Sequence, residues 1–339
     1  MATLSHRGFR QLLSDFGGWD YAVTEMTSAE ALLNGTPFAK SYTDLGPDPA
    51  RVIVQLTAYD PESFGAGAER FLPGRPGGID LNMGCSAPKV RKRGGGAGWL
   101  SRPREAVAAA ARVLQARDAW EQSAGLPGPA ISVKLRLPKD GALPPLIELI
   151  EALAESGVEW VTLHGRRVGQ PYARPASWDA LATVAENSPL PLCANGDIRS
   201  PEDMFLLLER RSFAGIMPAR GVAQKPWLPL LISRRLSRAG TTVGTKAGSA
   251  GGHAPAARGA APPRTYAETA ERYHRYLEEH LPPEFWKTRA RRFYAYFAAN
   301  FQFGHELAAG SQSMSSYEAI KAYALKRIER WDKPLPIPE

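Results

Sequence analysis

Seven largely apolar runs in this chain carry polar residues at or just past their carboxyl ends, and helical patterns separate them. The runs are Tyr21–Thr24, Arg51–Leu56, Ile79–Asn82, Ile131–Arg136, Trp160–His164, Leu190–Ala194 and Phe213–Met217. Helical spacing or helix-start signals occupy the intervals, at Ser28–Leu33, from Pro61 to about Phe71, from Arg102 to about Ser123, Leu146–Ser156, Ser177–Asn187 and from Ser200. Such alternation predicts a parallel sheet. At the carboxyl ends of these runs stand Glu25, Gln55, Asn82, Lys134 with Arg136, His164, Asn195 with Asp197, and Arg220. An open doubly wound sheet concentrates function at one switch point. Polar ends spread from Glu25 to Arg220 instead predict a TIM (β/α)8 barrel, whose loops on one face build the site. A barrel needs an eighth strand. The expectation is that the first strand is missing, upstream of a misassigned start.

The 339 residues divide on pattern into a barrel domain at 1–235, a Gly/Ala/Pro-rich disordered linker at 236–265 and a helical domain at 266–339. The linker is too poor in apolar residues to offset its ordering entropy. Tyr273, Tyr276, Leu277, Trp286, Phe293, Phe297, Phe301, Tyr317, Ile320, Tyr323 and Ile328 lie at helical spacing and predict three or four helices. The segment Lys287–Phe297 interleaves basic and aromatic residues. It reads either as a bundle helix with arginines in solvent or as an RNA-contacting helix.

Net charge is +8, with six basic and no acidic residues from Ser86 to Arg104. That distribution favours a polyanionic partner. Two cysteines exclude a disulfide framework and offer no metal cluster, so no metal is expected and a reducing compartment is. With no apolar run of membrane-spanning length and no signal peptide, a soluble cytoplasmic protein, expected as a monomer, follows.

The most informative stretch is 79–98. A strand breaks at Met83-Gly84 and presents Cys85, then Lys89, Arg91, Lys92 and Arg93, then glycines. A thiol at a strand end beside cations suits chemistry on an anionic substrate; the alternative is a structural cysteine on a solvated turn. Lys134 and Arg136 share one strand face. In a barrel that face is the interior, where an unpaired charge is costly, which favours a ligand over a plain salt bridge. Gln55 taken alone reads as a strand-end hydrogen-bonder, and Asp197 could simply cap the helix near Ser200. Cys193 reads as core.

Taken in order, Gln55, Asn82-Met83-Gly84-Cys85, Lys134-Leu135-Arg136, His164-Gly165-Arg166, Asn195-Gly196-Asp197 and Ala219-Arg220-Gly221 resemble the motifs of the tRNA-dihydrouridine synthase family. The opening Met1-Ala2 and His6–Arg10 resembles that family's start. The likeness covers residues 1–232 with specific motifs and extends loosely to 266–330. Family members usually carry Pro after the cysteine; here it is Ser86, with Pro88 two residues on.

The resemblance implies an FMN-dependent barrel with a helical domain that clasps tRNA. It implies reduction of the C5–C6 double bond of a D-loop uridine, with NADPH reducing the flavin. Met1, Ala2, Gln55, Lys134, His164, Asn195, Gly196, Asp197, Ala219, Arg220 and Gly221 would hold FMN. Cys85 would be the general acid and Asn82 would contact the uracil. Lys89, Arg91, Arg93, Arg136, Arg166 and Tyr172 complete the expected substrate contacts. Hydride arriving at C6 leaves enolate character at C5, and a thiol, titrating near about 8.5, is protonated at pH 7 and can donate. A flavin enzyme of free pyrimidines, resembling dihydroorotate or dihydropyrimidine oxidoreductases, and an RNA-binding protein on an inactive barrel are the alternatives.

Overall fold

The computed structural model describes residue 1, residues 3–240 and residues 261–337. In chain order the first elements are α1 (Arg7–Phe16), β1 (Ala22–Val23), β2 (Thr27–Ser28), α2 (Ala29–Leu33), α3 (Ala39–Thr43), β3 (Val52–Thr57), α4 (Pro61–Glu69), β4 (Gly78–Asn82) and α5 (Pro88–Lys92). Then come α6 (Pro103–Ala124), β5 (Ala130–Leu137), α7 (Pro144–Glu155), β6 (Trp160–Arg167), α8 (Trp178–Asn187), β7 (Leu192–Asn195), α9 (Pro201–Leu208), β8 (Gly215–Met217), α10 (Ala219–Gln224) and α11 (Leu228–Arg238). The C-terminal region is α12 (Tyr266–His280), α13 (Pro283–Phe297), α14 (Gly304–Ser313) and α15 (Tyr317–Arg330).

The sheet is parallel throughout, in the order β1-β3-β4-β5-β6-β7-β8, with β2 also paired to β3. β1 and β2 together fill one strand position, so seven positions are occupied and no described strand joins β8 to β1. The sheet is nonetheless curled. Lys134 on β5 reaches Asn195 on β7, two positions away, at 3.1 Å. This is barrel architecture with one seam open.

Alternation along the strands sets the layers. Ile79, Leu81, Ile131, Val133, Leu135 and Leu163 face outward into a core shared with the surrounding helices. Helix starts follow from local chemistry. Pro61 and Pro201 occupy first turns, and Asp60, Ser177 and Ser200 accept the N–H of Ser63, Ala180 and Asp203. α1 is capped by a histidine. His6 Nδ1 accepts the Phe9 N–H at 3.2 Å, while Ser5 Oγ is taken by the Met1 nitrogen at 2.6 Å.

A second core joins α1 to the C-terminal helices. Phe9, Leu12 and Phe16 pack with Trp227, Tyr273, Phe293 and Phe297, and the Tyr273 and Phe293 rings stack at 3.9 Å. Gly8 permits this approach, since a Cβ there would lie 2.6 Å from the Tyr276 carbonyl oxygen. Asp15 accepts from Arg272 at 2.9 Å and from the Tyr276 hydroxyl at 2.8 Å.

Residues 241–260 of the expected linker lie outside the described residues. Its edges are ordered, contrary to the reading from 236. α11 continues to Arg238 because Ile232 and Leu236 pack on the barrel core. Thr265 caps α12 through the Glu268 N–H and bridges Pro334. Among the described residues no helix is long and apolar enough to cross a membrane.

Candidate active site

The inward residues of β3, β4 and β5 form a buried hydrogen-bonded floor. Gln55 Nε2 donates to Asp80 Oδ2 at 2.8 Å, and Ser132 Oγ donates to Asp80 Oδ1 at 2.8 Å. Asn82 Nδ2 donates to Gln55 Oε1 at 3.0 Å. Lys134 lies over this floor, its Nζ on Asn195 Oδ1, while Asn195 Nδ2 holds the Met217 carbonyl at 2.6 Å. Burial pushes Asp80 up to about 6, against the pull of its two hydrogen bonds and of Lys134. Burial likewise lowers Lys134 to about 8, opposed by Asp80.

Cys85 follows β4 on a tightly held turn. Its N–H donates to Asn82 Oδ1 at 3.0 Å, and its carbonyl accepts from Ala97 N at 2.8 Å. Arg136 Nε holds the preceding Gly84 carbonyl at 3.1 Å. The glycine run closes over the turn. Gly96 has φ of 53°, and a Cβ there would sit 2.5 Å from the Cys85 carbonyl oxygen. The thiol-bearing residue is half-buried.

At the far side, β6 and β7 build a cationic corner. Arg166 is 1% exposed and clamps Asp197, with Nη2 at 2.8 and 2.6 Å from its two oxygens, and also bonds the carbonyls of Tyr172 and Arg174. Arg220 bonds Asp197 Oδ1 at 2.8 Å. Burial alone would raise Asp197, but the Ala176 N–H, Arg166 and Arg220 hold it below the usual carboxylate range. His164 falls to about 2 through burial, reinforced by Lys134, Arg136, Arg166 and Arg220. It is therefore a neutral imidazole among cations.

Tyr172, 58% exposed, lies over this corner, with the Arg220 guanidinium 4.4 Å above its ring and the His164 ring 6.4 Å away. The expected basic loop is the exposed helix α5. It carries Lys89, Arg91 and Lys92, and Arg93 follows it with its guanidinium 4.0 Å above the Tyr59 ring.

Most of the residues singled out in the sequence thus converge: Gln55, Asn82, Cys85, Lys134, Arg136, His164, Asn195, Arg220 and Tyr172. Ala2 lies outside the described residues. Met1 bonds Ser5, and its amine senses both Glu25 and Lys134. Arg166 Nε and Nη2 are engaged by Asp197 and two carbonyls, while its buried Nη1 has no hydrogen-bond partner. Gly196, at φ of 129°, passes close under Ala176 and His164, and Gly221 packs on the Ile198 carbonyl. Ala219 opens α10 beside them. Sequence reading passed over Asp80 and Ser132. The signal was the i, i+2 spacing Asp80/Asn82 and Ser132/Lys134/Arg136, which puts all five on the inner face.

Comparison with known proteins adds a family. A model described as dihydrouridine synthase matches residues 1–307. Among similar curated proteins is a probable tRNA-dihydrouridine synthase 1 of Synechocystis, 30% identical over 65% of this chain and 59% of its own length. A tRNA-dihydrouridine(16) synthase of Cupriavidus necator is 32% identical over 68% of this chain and 71% of its own. A probable tRNA-dihydrouridine synthase of Rickettsia prowazekii is 33% identical over 67% of each.

Proposed function

We propose that this chain, which belongs to the dihydrouridine synthase family, reduces the C5–C6 double bond of a D-loop uridine in tRNA, using FMN with NADPH as its reductant. The observation that carries this reading is the convergence of a thiol turn and a cationic corner on one mouth, with Lys134 between them.

The donor set fits a flavin mononucleotide. Arg220, backed by Asp197, is a fixed guanidinium suited to a phosphate, and the neutral His164 beside it can donate one hydrogen bond. Gly196 leaves no room for a side chain where backbone approaches this corner. Lys134 suits the negative charge of a reduced flavin ring. When bound, reduced FMN supplies the hydride for C6.

The chain's own residues do the rest. Cys85 Sγ holds the proton destined for C5. His164, already neutral at neutral pH, has no acidic proton to give. Asn82 keeps one N–H and one lone pair free for the uracil edge, after its bonds to Gln55 and Cys85. Tyr172 offers an exposed ring on which an unstacked base can rest. α5 supplies cations for the phosphates of the strand that carries it.

The test is incubation of the purified protein with unmodified tRNA, FMN and NADPH, followed by mass spectrometry of the nucleosides. Dihydrouridine at one D-loop position is expected. Turnover of free uracil or dihydroorotate without any product in tRNA would replace this reading with that of a free-pyrimidine enzyme.

A further inference from the structure

Beneath Cys85 runs an unbroken line of hydrogen bonds that ends on a buried carboxylate. It passes from the Cys85 N–H to Asn82 Oδ1 at 3.0 Å, from Asn82 Nδ2 to Gln55 Oε1 at 3.0 Å, and from Gln55 Nε2 to Asp80 Oδ2 at 2.8 Å. Asn82, Gln55 and Asp80 are all buried. Two carboxamides therefore stand between end groups whose roles cannot be exchanged. A backbone N–H only donates, and an ionised carboxylate only accepts. With both ends fixed, one orientation of the two amides makes every bond. Turning either one over sets N–H against N–H or oxygen against oxygen, in a buried site where an unmade bond is costly.

We propose that Asp80 is a positioning residue for the Cys85 turn: its carboxylate fixes the direction of the Gln55 and Asn82 amides and thereby holds the Cys85 N–H. The two carbonyls of the turn, on Gly84 and Cys85, are held independently by Arg136 and Ala97. The Cys85 N–H depends on Asn82, and Asn82 depends on Asp80 through Gln55. Asp80 is faced by Gln55 from β3, by Ser132 and the Lys134 charge from β5, and by the Cys193 thiol from β7.

Protonation does not by itself undo the line. A proton on Oδ1, accepted by the Ser132 hydroxyl, leaves Oδ2 to accept from Gln55, as an amide at this position also would. The effect on turnover rests on Cys85 being the acid. The latch itself does not.

The experiment is amide hydrogen exchange at Cys85 in the full-length protein, expressed as protection relative to the intrinsic rate at each pH. Protection in the unmodified protein is expected to hold from pH 7 to pH 5, since the protonated acid can keep the Gln55 bond. Asp80→Ala is expected to lose about tenfold at pH 7. Asp80→Asn can turn its carbonyl to Gln55 and its amide to Ser132, so it should keep most of the protection. Wild-type protection in Asp80→Ala would overturn the proposal. So would wild-type protection in Gln55→Leu, which breaks the line between Asp80 and Asn82 and decides the matter if Asp80→Ala does not fold. Loss of protection in a protein that makes no dihydrouridine would sustain the latch and remove the proposed activity instead.

Discussion

Burial sets the charge states of the mouth one side chain at a time. Lys134 comes down to about 8 and His164 to about 2, while Asp80 rises to about 6. His164 is neutral there, and Cys85 is the proton source proposed above. Cys85→Ala is expected to keep flavin bound and to lower dihydrouridine formation by about 10²-fold or more, read by single-turnover assay against flavin absorbance. A second buried histidine acts on stability. His274 Nε2 bonds the Tyr294 hydroxyl at 2.8 Å and Nδ1 bonds that of Tyr317 at 2.9 Å. The Tyr317 hydroxyl itself donates to Glu278, so its oxygen accepts from Nδ1–H, and Nε2 accepts from Tyr294. Burial lowers His274 to about 3. The unfolded chain takes up this proton below about 6.5 and the native form does not until about 3, so this stability is full above 6.5 and drains as pH falls. Urea unfolding between pH 7 and pH 5 should show a loss approaching about 1.4 kcal/mol per pH unit from this group, and a shallower slope in His274→Gln.

At the scale of elements, α5 is a short exposed helix whose cations do little for the fold. Arg91→Glu with Arg93→Glu is expected to leave flavin content unchanged and to weaken tRNA binding, lowering the salt slope of the affinity by about two. Equal loss of flavin and tRNA would sink that assignment. α5 itself went unread because five residues after Pro88 carry too little periodicity to separate helix from loop. The strand positions and the polar residues at their ends were legible because period-two alternation and β-branched runs are local signals. The partnership of Asp80 with Gln55 and Ser132 was not, since it needs the lateral register of β3, β4 and β5. The destination of Arg166 was hidden in the same way. His164-Gly165-Arg166 marks a strand end in sequence, but only the fold brings Asp197, 31 residues on, beneath the guanidinium. The cap of α1 is set by partners as well: Ser5 is engaged by Met1, and His6 Nδ1 accepts the Phe9 N–H.

The whole molecule is held by two cores with one buried ion pair between them. Arg289 of α13 places Nη2 3.2 Å from both oxygens of Glu25, the residue between β1 and β2. Arg289→Ala strands the Glu25 carboxylate and is expected to cost about 3–5 kcal/mol, seen as a lowered midpoint in chemical denaturation. Arg289→Lys, which lacks the planar guanidinium that stacks over the Phe285 ring, should recover only part of it. α1 precedes the sheet in sequence yet buries its aromatic face against α12 and α13, and Trp227, far along the chain, does the same. Neither end of the barrel segment is therefore finished on its own. A piece cut after α11 would bare Phe9, Leu12, Phe16 and Trp227 to water at once. The part that does chemistry and the part expected to grip the nucleic acid cannot be parcelled out as separable modules: they share a keel, and whatever loosens one must unsettle the other.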